Sequence, residues 1–313
     1  MDVELVRRGF ARSRRDAARL VAEGAVTLDG RPVKKPSASV APDAAVVVAP
    51  DALDSGYASR GAFKLEGVLT ALDALGPRVD GASCLDVGAS TGGFTDVLLR
   101  HGARRVIALD VGHDQLVPDL RDDPRVHAVE GYNARELTAR DLPWSPSLVV
   151  ADVSFISLTL LLPALAATVP RDADLLLMVK PQFEVGRDRL GTGGVVRESG
   201  LHAAAVRTVV RAAGVVGMGL RAVVPSPLPG PNGNREFFVW FSPSAPVSDP
   251  GAMIERAVAP PEGAEGTVPK GTSRGRASSA PLVRTPQVFW VEEPAPAPSR
   301  DAVQDEHRTG GRP

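Results

Sequence analysis

The chain has 313 residues, which is enough for two domains, and 43% of them are hydrophobic, as is normal for a globular protein. Its single cysteine, Cys84, rules out an internal disulfide framework and is predicted to be a buried strand residue. No apolar run is long enough to span a membrane, and residues 1–19 are charged throughout, unlike a secretory signal. The sequence therefore predicts a soluble protein of the cytoplasm.

The net charge of −1 argues against a nucleic-acid-binding protein, but this charge is unevenly distributed. Residues 1–40 contain nine Arg and Lys against five Asp and Glu, whereas residues 243–313 contain eight against nine. The basic charge therefore lies at the amino end, as expected for a separate module that contacts phosphates.

Residues 1–50 are predicted to form two short helices followed by a small sheet. Ser13 is suited to cap the second helix, which Gly24 would end. Strand-like residues follow at Val26, Leu28, Val33 and Val40, and a turn is predicted at 29–30. This arrangement resembles an S4-type RNA-binding domain, which implies RNA contacts by Arg7, Arg8, Arg12, Arg14, Arg15 and Arg19. The alternative is a solvated helix face, because most charge runs on helices have no other role.

Residues 58–242 follow a predicted linker at 51–57 and alternate apolar strands with helical stretches. This alternation predicts an α/β fold, a parallel sheet covered by helices on both faces. Strands are predicted at 83–87, 105–110, 126–130, 148–152, 175–179, 220–224 and 236–241. Helices are predicted near 95–100, 114–120, 158–167 and 201–213. No helix separates the last two strands, so the sheet is expected to end in an antiparallel hairpin.

Residues 243–313 contain twelve prolines and seven glycines and show no hydrophobic periodicity. Such a composition buries too little apolar surface to offset the entropy of ordering, so this tail is predicted to be disordered. The apolar residues 288–291 interrupt it. They either dock on the protein or on a partner, or have no role.

The first predicted strand of the sheet ends in Asp86, and a glycine-rich turn and a helix follow. No Gly-Lys-Ser/Thr follows the turn, which excludes a P-loop. The pattern Asp-x-Gly-x-Ser-x-Gly-Gly-Phe resembles motif I of S-adenosylmethionine-dependent methyltransferases; an ordinary strand-to-helix turn is the alternative. The resemblance implies a Rossmann-like sheet of seven strands, the last one antiparallel, and cofactor contacts by Asp86, Gly88, Ser90, Gly92, Gly93 and Phe94.

Two further residues are candidates for binding this cofactor. Asp110 ends the second strand, where its carboxylate could accept hydrogen bonds from ribose hydroxyls. Asn133 follows the third strand and is a weaker candidate for a contact near the adenine. A solvated turn carboxylate is the alternative for Asp110.

Lysine is rare in this chain, which has five lysines and 31 arginines. Lys180 ends an apolar strand, and Lys64 lies just before the first strand of the sheet. Asp152 ends another strand, and Glu236 lies at the mouth of the terminal hairpin. Because parallel strands deliver their last side chains to one edge of the sheet, these residues are expected near the ligand crevice. The alternative for each lysine is an ordinary surface charge.

In this order, Lys64, Asp152, Lys180 and Glu236 resemble the Lys-Asp-Lys-Glu tetrad of FtsJ-type ribose 2′-O-methyltransferases. Together with the S4-like domain and the Ser-Arg-Gly-Ala-x-Lys-Leu junction at 59–65, they resemble the TlyA family. The resemblance covers residues 1–242. It implies S-adenosylmethionine-dependent methylation of ribosomal RNA in ribosomal subunits, with cytidine as the expected nucleotide, and implies no metal.

The residue types suit this chemistry, because a ribose hydroxyl needs a base as it attacks the sulfonium methyl. We expect Lys180 to be the base and Lys64 to favour its neutral form and to steady the developing oxyanion. Asp152 and Glu236 would orient the two ammoniums.

Three competing functions are a non-catalytic RNA-binding assembly factor, a membrane-active protein, as the family's hemolysin label suggests, and a base methyltransferase. The last usually needs an Asn/Asp-Pro-Pro-Tyr-like edge, which Asp-Val-Ser-Phe at 152–155 is not.

Overall fold

The structure, a computed structural model, describes residues 1–8, 10–11, 14–22, 24–41, 44–48, 57–230, 233–243, 245, 250–260 and 286–290. The predicted helix cap Ser13 and the predicted linker, apart from Tyr57, lie outside the described residues. The elements form a small α+β unit at the amino end and a larger α/β unit with one eight-stranded sheet.

The amino-terminal unit contains helices α1 (Asp2–Arg7) and α2 (Arg14–Ala22) and strands β1 (Val26–Leu28), β2 (Arg31–Pro32) and β3 (Val46–Val48). Strand β1 is central and pairs antiparallel with both neighbours. Leu5, Leu20 and Val26 are almost fully buried in its core. Val33 and Val40, predicted to be strand-like, lie outside the three strands. The third strand lies at 46–48, because Asp29 binds Ala45 through both its backbone and its carboxylate and thereby aligns the following residues with β1.

The main strands of the large sheet are β4 (Ser83–Val87), β5 (Arg105–Asp110), β6 (Val126–Glu130), β7 (Leu148–Ala151), β8 (Asp174–Val179), β9 (Gly219–Pro225) and β10 (Phe237–Ser242). Their order across the sheet is β9-β10-β8-β7-β4-β5-β6, and an eighth strand, from the tail, pairs with β9. Strands β4 to β8 are parallel, and β10 runs antiparallel between β8 and β9. The predicted parallel sheet with an antiparallel end is therefore confirmed.

Helices cover both faces of this sheet. They are α3 (Ala62–Leu72), α4 (Gly93–Arg100), α5 (Pro118–Arg121), α6 (Leu158–Thr168), α7 (Pro181–Glu184) and α8 (Ser199–Val215). Leu85 packs with α6 and α8 on one face, and Cys84 packs with α3 and α4 on the other. Burial raises the pKa of the Cys84 thiol to about 12, as suits an inert strand residue.

The helix predicted at 114–120 is wrong in its extent, because only Pro118–Arg121 is helical. Asp114 has a φ of 52°, which a helix cannot contain, and Pro118 provides the first helical position.

The tail predicted to be disordered contains two short ordered segments, and one of them lies within the apolar residues 288–291. Helix α9 (Gly251–Val258) packs on α8 and β9 and buries Met253, Ile254, Ala257 and Val258. Strand β11 (Phe289–Trp290) pairs antiparallel with β9, and its Trp290 ring meets Trp240 edge-on at 6.0 Å. The surrounding prolines lower the average periodicity and conceal this short apolar stripe. Residues 261–285 and 291–313 lie outside the described residues.

Candidate active site

A cavity of about 950 Å³ lies at the carboxyl edge of the parallel strands. This is the edge at which open α/β sheets bind their ligands. The walls include the glycine-rich turn after β4 and the residues that follow β7 and β8. Among the lining side chains are Lys64, Asp152, Ser154, Phe155, Lys180, Phe183, Asn234 and Glu236.

The four charged residues that were predicted from separate segments are linked by ion pairs into one network in this cavity. Lys64 Nζ donates a hydrogen bond to Glu236 Oε2 at 2.6 Å and lies 3.9 Å from Asp152 Oδ2. Lys180 Nζ forms an ion pair with Asp152 Oδ1 at 2.6 Å. Asp152 therefore lies between the two lysines, and Glu236 holds the far side of Lys64.

The burial of these groups makes their pairing necessary. The Glu236 side chain is fully buried, and 11% of the Lys64 side chain and 9% of the Lys180 side chain are exposed. A buried charge is strongly unfavourable unless an opposite charge or hydrogen bonds compensate it. We refer to Lys64, Asp152, Lys180 and Glu236 as the charged tetrad.

The order of the strands explains why these residues meet. Asp152 follows β7, and Lys180 follows β8, so both lie at the carboxyl edge of the sheet. Strand β10 runs in the opposite direction and pairs Phe237 with Val179, so its first residues lie at this same edge. Glu236, immediately before β10, therefore lies beside the residues that follow β8. Helix α3 brings Lys64 to this group.

The glycine-rich turn is held close to the other walls of the cavity. Gly88 has a φ of +85° and Gly92 a φ of +100°, which favour glycine at both positions. A Cβ on Gly88 would lie 2.7 Å from the Asp152 carbonyl oxygen. The backbone from Gly88 to Thr91 consequently forms part of the cavity wall beside the charged tetrad.

These features fit S-adenosylmethionine. Helix α4 begins at Gly93 in the cavity wall, and its N-cap residue, Gly92, provides no side-chain cap. Free N–H groups at a helix start suit a carboxylate such as that of the methionine part. The cavity volume lies within the range of small-molecule sites.

Asp86 and Phe94 support the glycine-rich turn from inside the protein. Asp86 is fully buried and accepts a hydrogen bond from Thr95 Oγ1 at 2.7 Å. Phe94 is largely buried and stacks on Phe238 with ring centroids 6.0 Å apart, although it also reaches the cavity wall. Packing is therefore a large part of what Phe94 does.

The structure does not place Asp110 and Asn133 among the residues that line the cavity. Asp110 instead accepts hydrogen bonds from the backbone N–H of Ser90 at 2.8 Å and of Gly112 at 2.7 Å. Asn133 begins a short helical turn and accepts from the backbone N–H of Arg135. Asp110 thus fixes the glycine-rich turn, and contacts of either residue with a cofactor stay predictions.

Asp86 is expected to make the stability of the protein pH-dependent. Burial raises its pKa from 3.8 to about 7, so the folded protein binds this proton more tightly than the unfolded chain. The resulting stabilisation is present below pH 4 and is lost as the pH rises through about 7. At about 1.4 kcal/mol for each tenfold change in proton affinity, the loss is on the order of 4 kcal/mol.

Asp86→Asn removes this titration. The free energy of unfolding is measured by urea titration at pH 4 and at pH 8. Because only the wild type loses the stabilisation from Asp86, the difference between variant and wild type should shift by about 4 kcal/mol in favour of the variant between these pH values. Asp119→Asn, at an exposed carboxylate, is the control and should stay within about 0.5 kcal/mol of wild type. A constant difference between Asp86→Asn and wild type would contradict the assignment.

The loop after β7 carries residues that the sequence analysis did not single out. Ser154 accepts a hydrogen bond from Lys180 Nζ at 2.9 Å. Phe155 has a φ of 67° and is 92% exposed, with its ring 5.4 Å from that of Phe183. Glu184 holds the end of this loop by accepting from Leu158 N at 2.9 Å. Their only sequence signal was that they closely follow Asp152 and Lys180.

The predicted RNA-binding arginines are partly engaged with acidic residues of α1. Arg7 and Arg8 both bind Glu4, and together they lower its pKa to about 2. Arg14 binds Asp2 at 2.9 Å. Arg12 lies outside the described residues, as do the side chains of Arg15 and Arg19. RNA contacts by these six arginines stay a prediction.

A second basic surface was not predicted. Arg31, Lys34 and Lys35 are exposed and line a cavity of about 680 Å³ beside β2. Within the described part of the chain no ion pair involves these three side chains. This basic surface, defined as Arg31, Lys34 and Lys35, is therefore free to meet phosphates.

Across the described ranges no helix is both long and apolar enough to cross a membrane. No group of three His, Cys, Asp or Glu side chains in those ranges could hold a metal ion.

Comparisons with known proteins agree with this architecture. The FtsJ-like methyltransferase family matches residues 57–242, and the S4 domain matches residues 2–46. The 16S/23S rRNA (cytidine-2′-O)-methyltransferase TlyA of Mycobacterium tuberculosis is 51% identical over 241 residues, which are 77% of this chain and 88% of the relative.

Two other relatives carry hemolysin names. Hemolysin A of Brachyspira hyodysenteriae is 35% identical over 74% of this chain and 95% of its own length. A solved structure from Streptococcus thermophilus with a provisional hemolysin name is 38% identical, with a TM-score of 0.64, over 82% of this chain and 93% of that one. The shared S4 and FtsJ-like domains and these identities lead to one conclusion: the chain belongs to the TlyA family of S-adenosylmethionine-dependent methyltransferases.

Proposed function

We propose that this protein transfers the methyl group of S-adenosylmethionine to the ribose 2′-hydroxyl of a cytidine in ribosomal RNA. The observation that carries the proposal is the charged tetrad beside the glycine-rich turn. The name of the Mycobacterium tuberculosis relative supports both the cytidine and the ribosomal substrate. We expect the protein to act in the cytoplasm, where ribosomal subunits are found.

In this mechanism Lys180 is the general base. When S-adenosylmethionine is bound, its sulfonium provides an electrophilic methyl group. The attacking hydroxyl is a weak nucleophile, so its proton must pass to a base as the oxygen–carbon bond forms. The neutral Lys180 amine accepts this proton, and Asp152 at 2.6 Å stabilises the ammonium that results.

Lys64 acts as a fixed positive charge. Glu236 holds its ammonium at 2.6 Å, and Asp152 Oδ2 lies 3.9 Å from the same nitrogen. The same charge stabilises the negative charge that develops on the ribose oxygen. The remainder of the rate comes from alignment of the oxygen with the methyl group.

The charge of the tetrad changes in the direction that the reaction requires. With Lys180 neutral, its two carboxylates and the Lys64 ammonium leave one net negative charge, which attracts the positive sulfonium. Once Lys180 has taken the proton, the tetrad is neutral. The sulfonium charge has then been lost as well, so the product complex has no uncompensated charge at this site.

The proposal is tested by transfer of tritiated methyl groups to isolated small and large ribosomal subunits. Alkali cleaves RNA through the 2′-hydroxyl, so label in alkali-resistant dinucleotides identifies 2′-O-methylation. Label in ordinary mononucleotides would identify base methylation and contradict the proposal. Absence of label on either subunit, with cofactor binding intact, would favour a non-catalytic RNA-binding factor.

The basic surface is expected to contribute to RNA binding. Lys34→Ala combined with Lys35→Ala removes two exposed ammoniums, and each phosphate contact adds about 0.7 to 0.9 to the slope of log affinity against log salt concentration. Filter binding to ribosomal RNA should therefore show a slope smaller by about 1.4 to 1.8 in the double variant.

Arg104→Ala is the control for this experiment. Arg104 is exposed just before β5, at the edge of the sheet opposite the cavity, so its removal should leave the slope unchanged. Equal slopes in wild type and in the double lysine variant would show that this surface does not contact RNA.

A further inference from the structure

The geometry points to Ser154 as a positioning residue that fixes the direction of the Lys180 lone pair toward the ribose hydroxyl. This inference deepens the proposed function and rests on Lys180 being the base. It starts from the two contacts of one nitrogen atom. Asp152 Oδ1 lies 2.6 Å from Lys180 Nζ, and Ser154 Oγ accepts a hydrogen bond from it at 2.9 Å.

The number of protons on the nitrogen makes these two contacts decisive. An ammonium has three N–H bonds, whereas the neutral amine that can act as a base has two and one lone pair. Asp152 Oδ1 occupies one side of the nitrogen, and the hydrogen bond to Ser154 fixes one N–H on another side, so the lone pair is left with the remaining, open side. A proton received from the substrate enters that direction and completes the ammonium, and no other group has to move.

Asp152 alone would leave the amine free to rotate. The lysine side chain ends in a single bond about which the amine turns readily, so one partner fixes one N–H but not the lone pair. The other charged groups do not supply the second contact, because Lys64 is a cation and Glu236 binds Lys64. The Ser154 hydroxyl lines the cavity and accepts the hydrogen bond that the structure gives to Lys180 Nζ.

The local chain holds Ser154 in this place. It lies two residues beyond Asp152, so one short stretch of backbone presents both side chains to the same nitrogen. The end of the loop is fixed by Glu184, which accepts hydrogen bonds from Ser157 Oγ at 2.6 Å and from Leu158 N at 2.9 Å. Because Glu184 lies four residues after Lys180, the same short segment carries the base and anchors the loop.

The test compares Ser154→Ala and Ser154→Thr with wild type in the methyl-transfer assay. Loss of the acceptor should lower kcat about tenfold, as expected for a hydrogen bond to a group that becomes charged. The KM for RNA and the affinity for S-adenosylmethionine should stay within about twofold, because Ser154 acts through Lys180. Ser154→Thr retains the hydroxyl and should recover most of the lost rate.

The pH dependence of kcat separates positioning from a structural defect. Without the Ser154 acceptor the ammonium loses more stabilisation than the amine, so the rising acid limb should move to lower pH while the plateau falls. Ser147→Ala is the control, since Ser147 lies at the opposite end of β7, and its profile should match wild type.

Two results would overturn the inference. One is a Ser154→Ala profile equal to wild type, and the other is an equal loss in Ser154→Ala and Ser154→Thr with weakened cofactor binding. Both require an active wild-type enzyme. An inactive wild type in the same assay would count against the proposed function itself, so the two failures are distinguishable.

Discussion

Replacement of Lys180 by methionine is expected to lower methyl transfer about 10²- to 10⁴-fold, the range typical of a missing general base. Methionine keeps much of the length and apolar stem of lysine but cannot accept the proton of the ribose hydroxyl. The loss should appear in kcat, measured by single-turnover transfer of labelled methyl groups. Affinity for S-adenosylmethionine, measured by calorimetry, should change less than about threefold, because the proposed cofactor contacts lie on the glycine-rich turn.

Lys180→Arg distinguishes a base from a simple positive charge. Arginine keeps a cation beside Asp152 but does not lose its proton in proteins, so this variant should be as inactive as Lys180→Met. Substantial activity of the arginine variant would mean that charge alone is needed. Retention of more than about a tenth of the wild-type rate in Lys180→Met would reject Lys180 as the base.

Replacement of Lys64 by methionine is expected to destabilise the folded protein by about 3 to 5 kcal/mol, because the Glu236 carboxylate would remain buried without its partner. Glu236→Gln combined with Lys64→Met removes both charges and should recover most of this stability. The free energy of unfolding can be followed by tryptophan fluorescence, since Trp144 and Trp240 both lie in the large unit.

The double variant separates stability from chemistry. It should fold well but transfer methyl groups slowly, because the fixed cation of Lys64 is absent. The two single variants, Lys64→Met and Glu236→Gln, complete the comparison. If the destabilisation of the double variant equalled the sum of their separate destabilisations, the buried pair would not act as a unit.

The sequence predicted the sheet well, because central strands such as β7 and β8 are buried on both faces and are therefore nearly continuous apolar runs. Ser83–Val87, Arg105–Asp110 and Val126–Glu130 agree with the predicted bounds. The charged tetrad could be proposed because each member lies at the end of a strand or in a family motif. Which lysine pairs with which carboxylate could not be predicted, since that depends on the register of β10 against β8.

Errors arose where short local signals competed with average composition. Helix α9 has apolar residues at helical spacing, but it stands in a proline-rich tail whose overall composition predicts disorder. Helix α3 was not predicted at all, although it positions Lys64. The hydrogen bonds of Arg7 and Arg8 to Glu4 were also not predicted, because Glu4 was counted only toward net charge.

The contacts of loop residues were beyond the reach of the sequence. Ser154 and Phe155 lie two and three residues after Asp152, but nothing in their identities shows that one binds Lys180 and the other faces solvent. Their positions depend on a loop with a left-handed residue at 155 and an anchor at Glu184, 29 residues later in the chain.

The central claim, that the ribose 2′-hydroxyl is the methyl acceptor, is tested most directly with a modified RNA. The ribosomal RNA fragment that accepts label is prepared in two forms, which differ only in a 2′-deoxycytidine at the labelled position. Both should bind the protein with similar affinity, and the deoxy form should accept no methyl group. Transfer to the deoxy form at the rate of the unmodified RNA would contradict the account, because the methyl group would then be joined to the base.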